Sequence, residues 1–337
     1  MNKTGKRVLT FFIIVFVTGL VLYYSLKDNY EEIIHQITTI HKGFLLLAFL
    51  LIIFYWILKA MVMKITVRNF KKDFTFASAL RLIVETNFFH AVTPFASGGQ
   101  PYEIFSLKRS HLKITEATNV SIQNFIVYQI ALVFLGIIAV ICNYFMHIFP
   151  NNSFLRYLVT IGFLCNLFVI IVLFIISFTK KMNQVIVRFV IFLLNKIKLV
   201  KNKEKTIQKF EKYISEFNEG AKVLVQDKKK FFLLVFYNFL ALTSFYLIPL
   251  ILLYGTGDLT SMNAFESIIA SAYIMMVGSF VPIPGGTGGL EYAFVVFYSN
   301  FIKGPVLNAI MLLWRFITYY FGMIVGAITL TLKRKKM

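Results

Sequence analysis

Two short runs, Pro94-Phe95-Ala96-Ser97-Gly98-Gly99 and Pro284-Gly285-Gly286-Thr287-Gly288-Gly289, share the pattern P-x-x-[ST]-G-G, and an acid closely follows each, Glu103 and Glu291. Proline withholds an amide and glycine leaves the backbone open, so each run breaks a helix and exposes free N–H groups at the start of the next one. A helix N-terminus of that kind binds anions. It equally favours a capping carboxylate, so acid and anion compete for the same place. A third charge, Arg315, falls about ten residues into an apolar run that starts near 306. Arginine at mid-membrane marks either a substrate pathway or an ion pair, here with Glu291 or Glu103. Its planar fork suits phosphate oxygens. Cation and amides for a phosphate, with acids for an amine, fit a zwitterionic or aminoacylated headgroup and also meet the needs of a proton-coupled carrier.

Other polar residues inside apolar runs have simpler readings. Arg81 and Glu85 are four apart, share a helix face and pair with one another or line a pathway. His90 reads as a satisfied polar side chain, and Lys59, five residues from a helix end, as a snorkelling cation. Gln123, Asn124, Tyr128 and Gln129 make one run unusually polar, for interhelical hydrogen bonds or a cavity wall. H-E-x-x-H, C-x-x-C, Walker and G-x-S-x-G sequences are missing, so neither a metal nor another cofactor is expected, nor ATP hydrolysis. Cys142 and Cys165 sit in apolar runs and suggest no disulfide framework.

The elements that position these groups follow from composition. Of 337 residues, 58% are hydrophobic and 15% charged, which excludes a soluble domain. Apolar runs at 8–26, 44–63, 120–146, 156–178, 231–254 and 306–332 are long enough to cross a bilayer. The 35 Lys+Arg against 15 Asp+Glu concentrate in alternate loops, which places both termini in the cytoplasm of a multi-pass plasma-membrane protein. The segments 74–112 and 264–302 are each broken by a P-x-x-[ST]-G-G run and read as re-entrant hairpins, one from each side. Irregular backbone at that depth must line protein or a water-filled cavity. The expected architecture is therefore an all-α polytopic membrane protein with six full spans and two re-entrant broken hairpins. Each half, 1–150 and 151–337, reads as span, span, hairpin, span, an odd number of crossings that inverts the second half relative to the first. Paired broken segments in inverted halves point to a transport site.

The segment 179–230 carries 14 Lys+Arg and 5 Asp+Glu, and Ile207, Phe210, Ile214, Phe217, Ala221 and Leu224 form a helical stripe within it. This basic amphipathic insertion is a partner surface for anionic lipid headgroups, for the transporter's own underside or for a second copy in a homodimer. The charge pattern, lacking interleaved stacking aromatics, does not suit nucleic acid.

The runs TPFASGGQPYEIFSLKR (93–109), VPIPGGTGGLEYAFVVFY (281–298) and LLWRFITYY (312–320) resemble the lysylphosphatidylglycerol synthase transmembrane region, the flippase half of the multiple peptide resistance factors. The resemblance covers essentially the whole chain and implies lipid translocation. It puts Pro94, Ser97, Gly98, Gly99, Gln100 and Glu103, then Pro284, Gly285, Gly286, Thr287, Gly288, Gly289 and Glu291, with Arg315, at motif positions for substrate contact. The bifunctional members continue into a soluble aminoacyl-transferase domain, whereas this chain stops at Met337, so the synthetic activity is not expected here. The expected function is movement of an anionic, aminoacylated or glycosylated lipid between leaflets without ATP. The alternative is a membrane-embedded transferase acting on a lipid-linked substrate.

Overall fold

The computed structural model describes residues 30–149, 153–178, 226–278 and 281–332 except 282, with positions 218 and 222. The expected span at 8–26, most of the insertion 179–230 and the basic tail 333–336 lie outside the described residues. Among the described residues all regular structure is helical.

Helix α1 (Tyr30–Thr39) opens with Glu31 and Glu32, which favour a helix start. The sequence predicts a loop there. Burial of Ile33 and Ile40, and packing of α1 on a later helix, turn it into a helix instead. His41 then caps α2 (Lys42–Val67), its Nδ1 accepting from the Gly43 amide at 3.2 Å, while its own amide donates to Gly255 O at 2.7 Å. Helix α3 (Phe76–Ala91), capped by Thr75, leads through a single 3-10 turn (Pro94–Ala96) into α4 (Gly99–Arg109). Glu116 accepts from the Lys113 amide at 2.8 Å and opens α5 (Ile114–Met146), followed by α6 (Ser153–Phe178).

Asp227 caps α7 (Lys228–Tyr246), which passes through Leu247 into α8 (Ile248–Gly255), the break falling where Pro249 withholds an amide. Asn263 Oδ1 accepts from the amides of Phe265 and Glu266 at 2.9 and 3.0 Å and starts α9 (Ala264–Gly278). A second 3-10 turn (Pro284–Gly286) leads to α10 (Gly289–Tyr298), then α11 (Gly304–Arg315). The chain finishes through a π-helical turn (Phe316–Tyr320) into α12 (Phe321–Thr331), so the expected span at 306–332 is one helical stretch whose hydrogen-bond pattern changes for one turn directly after Arg315.

Four stretches are long and apolar enough to cross a membrane: Lys42–Val67, Ile114–Met146, Lys228–Gly255 and Gly304–Thr331. At 1.5 Å per residue even 26 residues rise about 39 Å, more than the roughly 30 Å of a hydrocarbon core. Helix α6 is equally long at 26 residues. In lipid the driving force between helices is close packing rather than removal of apolar surface from water, so small residues mark the contacts. Gly326 of α12 meets α3 so closely that a Cβ there would lie 2.6 Å from Val84 O. At Gly136 of α5 a Cβ would fall on the Met276 side chain of α9. Helix α2 packs against α3, α7 and α8, and Trp56 stacks on Phe321 with ring centroids 5.4 Å apart.

Candidate functional site

The two P-x-x-[ST]-G-G runs share their backbone just after the proline and then diverge, Ser97 and Gly98 being right-handed helical where Thr287 is extended and Gly288 has φ 87°. After each proline come two residues in the left-handed region, Phe95 and Ala96 at φ 54° and 52°, Gly285 and Gly286 both at φ 65°. Glycine reaches that region freely, whereas an L side chain costs about 1–2 kcal/mol there. Side chains hold the first turn: Thr93 Oγ1 accepts from the Gly98 amide at 2.8 Å and donates to Phe89 O at 2.7 Å, and His90 Nδ1 lies 2.5 Å from Ala96 O. The second turn uses backbone and Thr287, whose hydroxyl donates to Pro284 O at 3.0 Å. Gly285 has a further reason to be glycine, because a Cβ would enter the Tyr319 ring. The expected result is that Gly285→Ala lowers stability by more than ~2 kcal/mol through strain plus overlap. Ala96→Gly, which removes strain at some entropic cost, is expected to be neutral or to raise stability by up to ~1 kcal/mol. Thermal melting of the purified protein in detergent checks both.

The two turns touch. Tyr319, one turn beyond Arg315, packs on Gly285 and donates its hydroxyl to Ala91 O at 3.0 Å, tying the second turn to the end of α3. Beside this junction lies a cavity of about 540 Å³, whose polar lining includes Lys59, His90, Gln100, Glu103, Tyr128 and Arg315, with Gly285 and Gly286 on the second-turn side.

The expected contact residues divide into three groups. Arg315, 4% exposed, faces the cavity and pairs with Glu291, Nε to Oε1 at 2.6 Å; the approach is ionic rather than a well-aligned hydrogen bond. Its Nη2 donates to Gly285 O at 3.0 Å, and the guanidinium lies 4.6 Å from the Tyr319 ring centroid. Glu291 is the third residue of α10, and its other oxygen accepts from the Gly288 amide at 2.7 Å, so both its oxygens are occupied by capping and pairing. Glu103 is not its counterpart. It is the fifth residue of α4 and turns to α5, where the Ser121 hydroxyl donates to it at 2.7 Å, and it lines the cavity with no cation within ion-pair distance among the described residues.

Gln100, Gly285 and Gly286 line the cavity too, whereas Pro94, Ser97, Gly98, Gly99, Pro284, Thr287, Gly288 and Gly289 shape the turns behind it. At Gly99 a Cβ would fall within the His90 ring, so that glycine positions the imidazole. Arg81 and Glu85 stand apart from the cavity as a helix tie: Arg81 Nε reaches Glu85 Oε1 at 2.8 Å and Nη2 the Thr329 and Leu332 carbonyls at 3.0 and 2.5 Å. Glu85 also accepts from the Tyr102 hydroxyl at 2.5 Å, linking α3 to α4 and to the end of α12.

Lys59 departs most from its sequence reading. It does not snorkel: its Nζ donates to Asn238 Oδ1 of α7 at 3.0 Å and sits 4.4 Å from the Tyr128 ring centroid, facing the cavity. No carboxylate lies within ion-pair distance of it among the described residues. Nothing in the sequence singles out Asn87, whose buried Nδ2 on the cavity wall has no hydrogen-bond partner among the described residues. The polar run on α5 serves both of its expected uses, since Asn124 accepts from Thr66 at 2.8 Å and Gln129 donates to Asn166 at 3.0 Å while both line the cavity.

A family model, the lysylphosphatidylglycerol synthase TM region, matches residues 8–326. The chain is also 23% identical over 311 residues to a UPF0104 membrane protein of Archaeoglobus fulgidus, covering 85% of each chain.

Proposed function

The chain belongs to the lysylphosphatidylglycerol synthase TM region family, and from that premise we propose that it moves a polar-headed membrane lipid between leaflets through the cavity beside the two turns. The observation that carries the reading is a pair of opposite charges lining one cavity, Lys59 of α2 and Glu103 of α4, neither within ion-pair distance of a partner among the described residues. A buried charge without a counter-ion is costly, and a ligand that supplies both signs relieves both. Lys59 and Arg315 face the lipid phosphate, Glu103 an amine on the headgroup, and Asn87 Nδ2 an acceptor oxygen. Glu291 contributes indirectly by holding Arg315 and the start of α10.

Within this reading the chain is an inverted repeat of 1–150 and 151–337, with α3–α4 and α9–α10 as the re-entrant hairpins. Three things support it: the matched left-handed turns, their mutual contact, and the paired packing of α12 on α3 and α5 on α9. Both termini then face the cytoplasm of a plasma-membrane protein. With Cys142 and Cys165 replaced, a cysteine at exposed Ser261 is expected to react with an impermeant maleimide on intact cells, and one at exposed Asp73 only after permeabilisation. The reverse labelling pattern would refute this orientation.

The function is tested with protein in liposomes carrying headgroup-labelled lipids, read by surface quenching. Wild-type protein is expected to exchange labelled lipid between leaflets faster than protein-free liposomes. Glu103→Gln is expected to slow an amine-bearing lipid about tenfold while sparing an amine-free anionic one, the loss of one charged hydrogen bond. Exchange no faster than in empty liposomes would refute the reading.

A further inference from the structure

A second recess, separate from the transport cavity, lies at the C-terminal end of α2. Its volume is about 340 Å³, and its lining is Met61, Lys64, Ile65 and Arg68 of α2, Phe76 of α3 and Tyr237 of α7. The four α2 residues follow one helix face at spacings of three, one and three, which alternates apolar and basic side chains along the groove. Its floor is apolar or aromatic and its polar rim is two cations. Among the described residues no carboxylate lines it.

Cations outnumber acids around the rim, where the acids are Asp73 and Asp227. Lys64 is half-buried without an ion-pair partner among the described residues, and Arg68 uses Nε on Phe74 O at 3.2 Å and is otherwise exposed. From the adjoining loop come Lys71, paired with Asp73 at 3.7 Å, and exposed Lys72. From the start of α7 come exposed Lys228 and Lys229, and Lys230, which bonds to Asn69. Asp227 caps α7. Next to Tyr237 the α7 surface exposes Phe232, Leu233 and Phe236, an apolar face suited to acyl chains.

We propose that this recess binds an anionic phospholipid as a resident lipid, its phosphate between Lys64 and Arg68 and an acyl chain along Met61, Ile65 and Tyr237. The chemistry is that of a bilayer lipid: an anion and an apolar chain joined at the level where a helix leaves the hydrocarbon. A free phosphate would use the rim and leave the floor empty. The site stands independently of transport, because its side chains are distinct from those lining the transport cavity.

The test is native mass spectrometry of delipidated protein titrated with phosphatidylglycerol, phosphatidylcholine or inorganic phosphate. Wild-type protein is expected to retain one phosphatidylglycerol in preference to phosphatidylcholine and to hold no phosphate. The double variant Lys64→Gln/Arg68→Gln is expected to weaken phosphatidylglycerol about tenfold or more. Ile65→Trp, which fills the floor without changing charge, should weaken both lipids. Lys59→Met, in the transport cavity, should leave this lipid bound, and melting without lipid checks that each variant folds. Equal retention of both lipids, unchanged binding in the double variant, or loss in Lys59→Met alone would each overturn the proposal.

Discussion

Arg315→Gln is expected to lower stability by about 3–5 kcal/mol, enough to prevent much of the protein from inserting and purifying as a folded species. The guanidinium lies 2.6 Å from Glu291, and both residues are buried, at 4% and 8% exposure. Removing the cation leaves a carboxylate in a low-dielectric interior at the start of α10, where its other oxygen accepts from the Gly288 amide. The loss extends beyond the pair, because Arg315 also holds Gly285 O and the face of Tyr319. Changing both partners, Arg315→Gln with Glu291→Gln, removes the stranded charge and is expected to recover a large part of the loss, since glutamine can still accept from the Gly288 amide. Denaturant unfolding in detergent for the two single variants and the double variant measures this. A single variant that folds like the wild type but moves no lipid would instead make Arg315 chiefly a substrate contact.

Lys59→Met is expected to have the opposite profile, with translocation reduced about ten- to a hundredfold and stability lowered by only ~1–3 kcal/mol. Methionine preserves the stem packing, and no carboxylate lies within ion-pair distance of Lys59 among the described residues, so Glu103 loses a cation it feels only at longer range. What is lost inside the protein is the hydrogen bond to Asn238 and the charge over Tyr128. What is lost to a ligand is a charged hydrogen bond to an anion inside a cavity, where water competes poorly. Lys59→Arg, with its charge kept, should retain more activity. The liposome exchange assay, run beside melting, reads both effects. Unchanged exchange by a folded Lys59→Met protein would remove Lys59 from the site.

The broad architecture was legible because apolar length and helix breakers are local properties. The four strongest spans and both breaks can be read from runs of Leu, Ile and Phe and from Pro and Gly at 94–99 and 284–289. Pairing of Arg315 with Glu291 was among the readings, since both are obvious charges in apolar surroundings. Lys59 was misread because depth along a helix says nothing about direction. Its distance from the helix end allowed snorkelling, and only Asn238, 179 residues away, turns it inward. The difference between Glu103 and Glu291 was hidden in the same way. Two positions along the helix, third against fifth, decide whether an acid meets its own helix start or the neighbouring Ser121. The π-helical turn after Arg315 has no proline or glycine to announce it, and the short helix α1 depends on burial against elements far along the chain.

The unequal chemistry of the two turns has a kinetic meaning. Both occupy left-handed backbone, but glycines do so in the second and Phe95 and Ala96 in the first, with Phe95 58% exposed at the cavity. With about 1–2 kcal/mol for each of the two residues, a ground state raised by about 2–4 kcal/mol leaves its well roughly thirty- to several-hundredfold sooner if the barrier top is unaffected. The first turn is thus the cocked member of the pair and the second the resting one. Motion that separates them is expected to begin at Pro94 and arrive later at Pro284, which would give any such motion a built-in order in time.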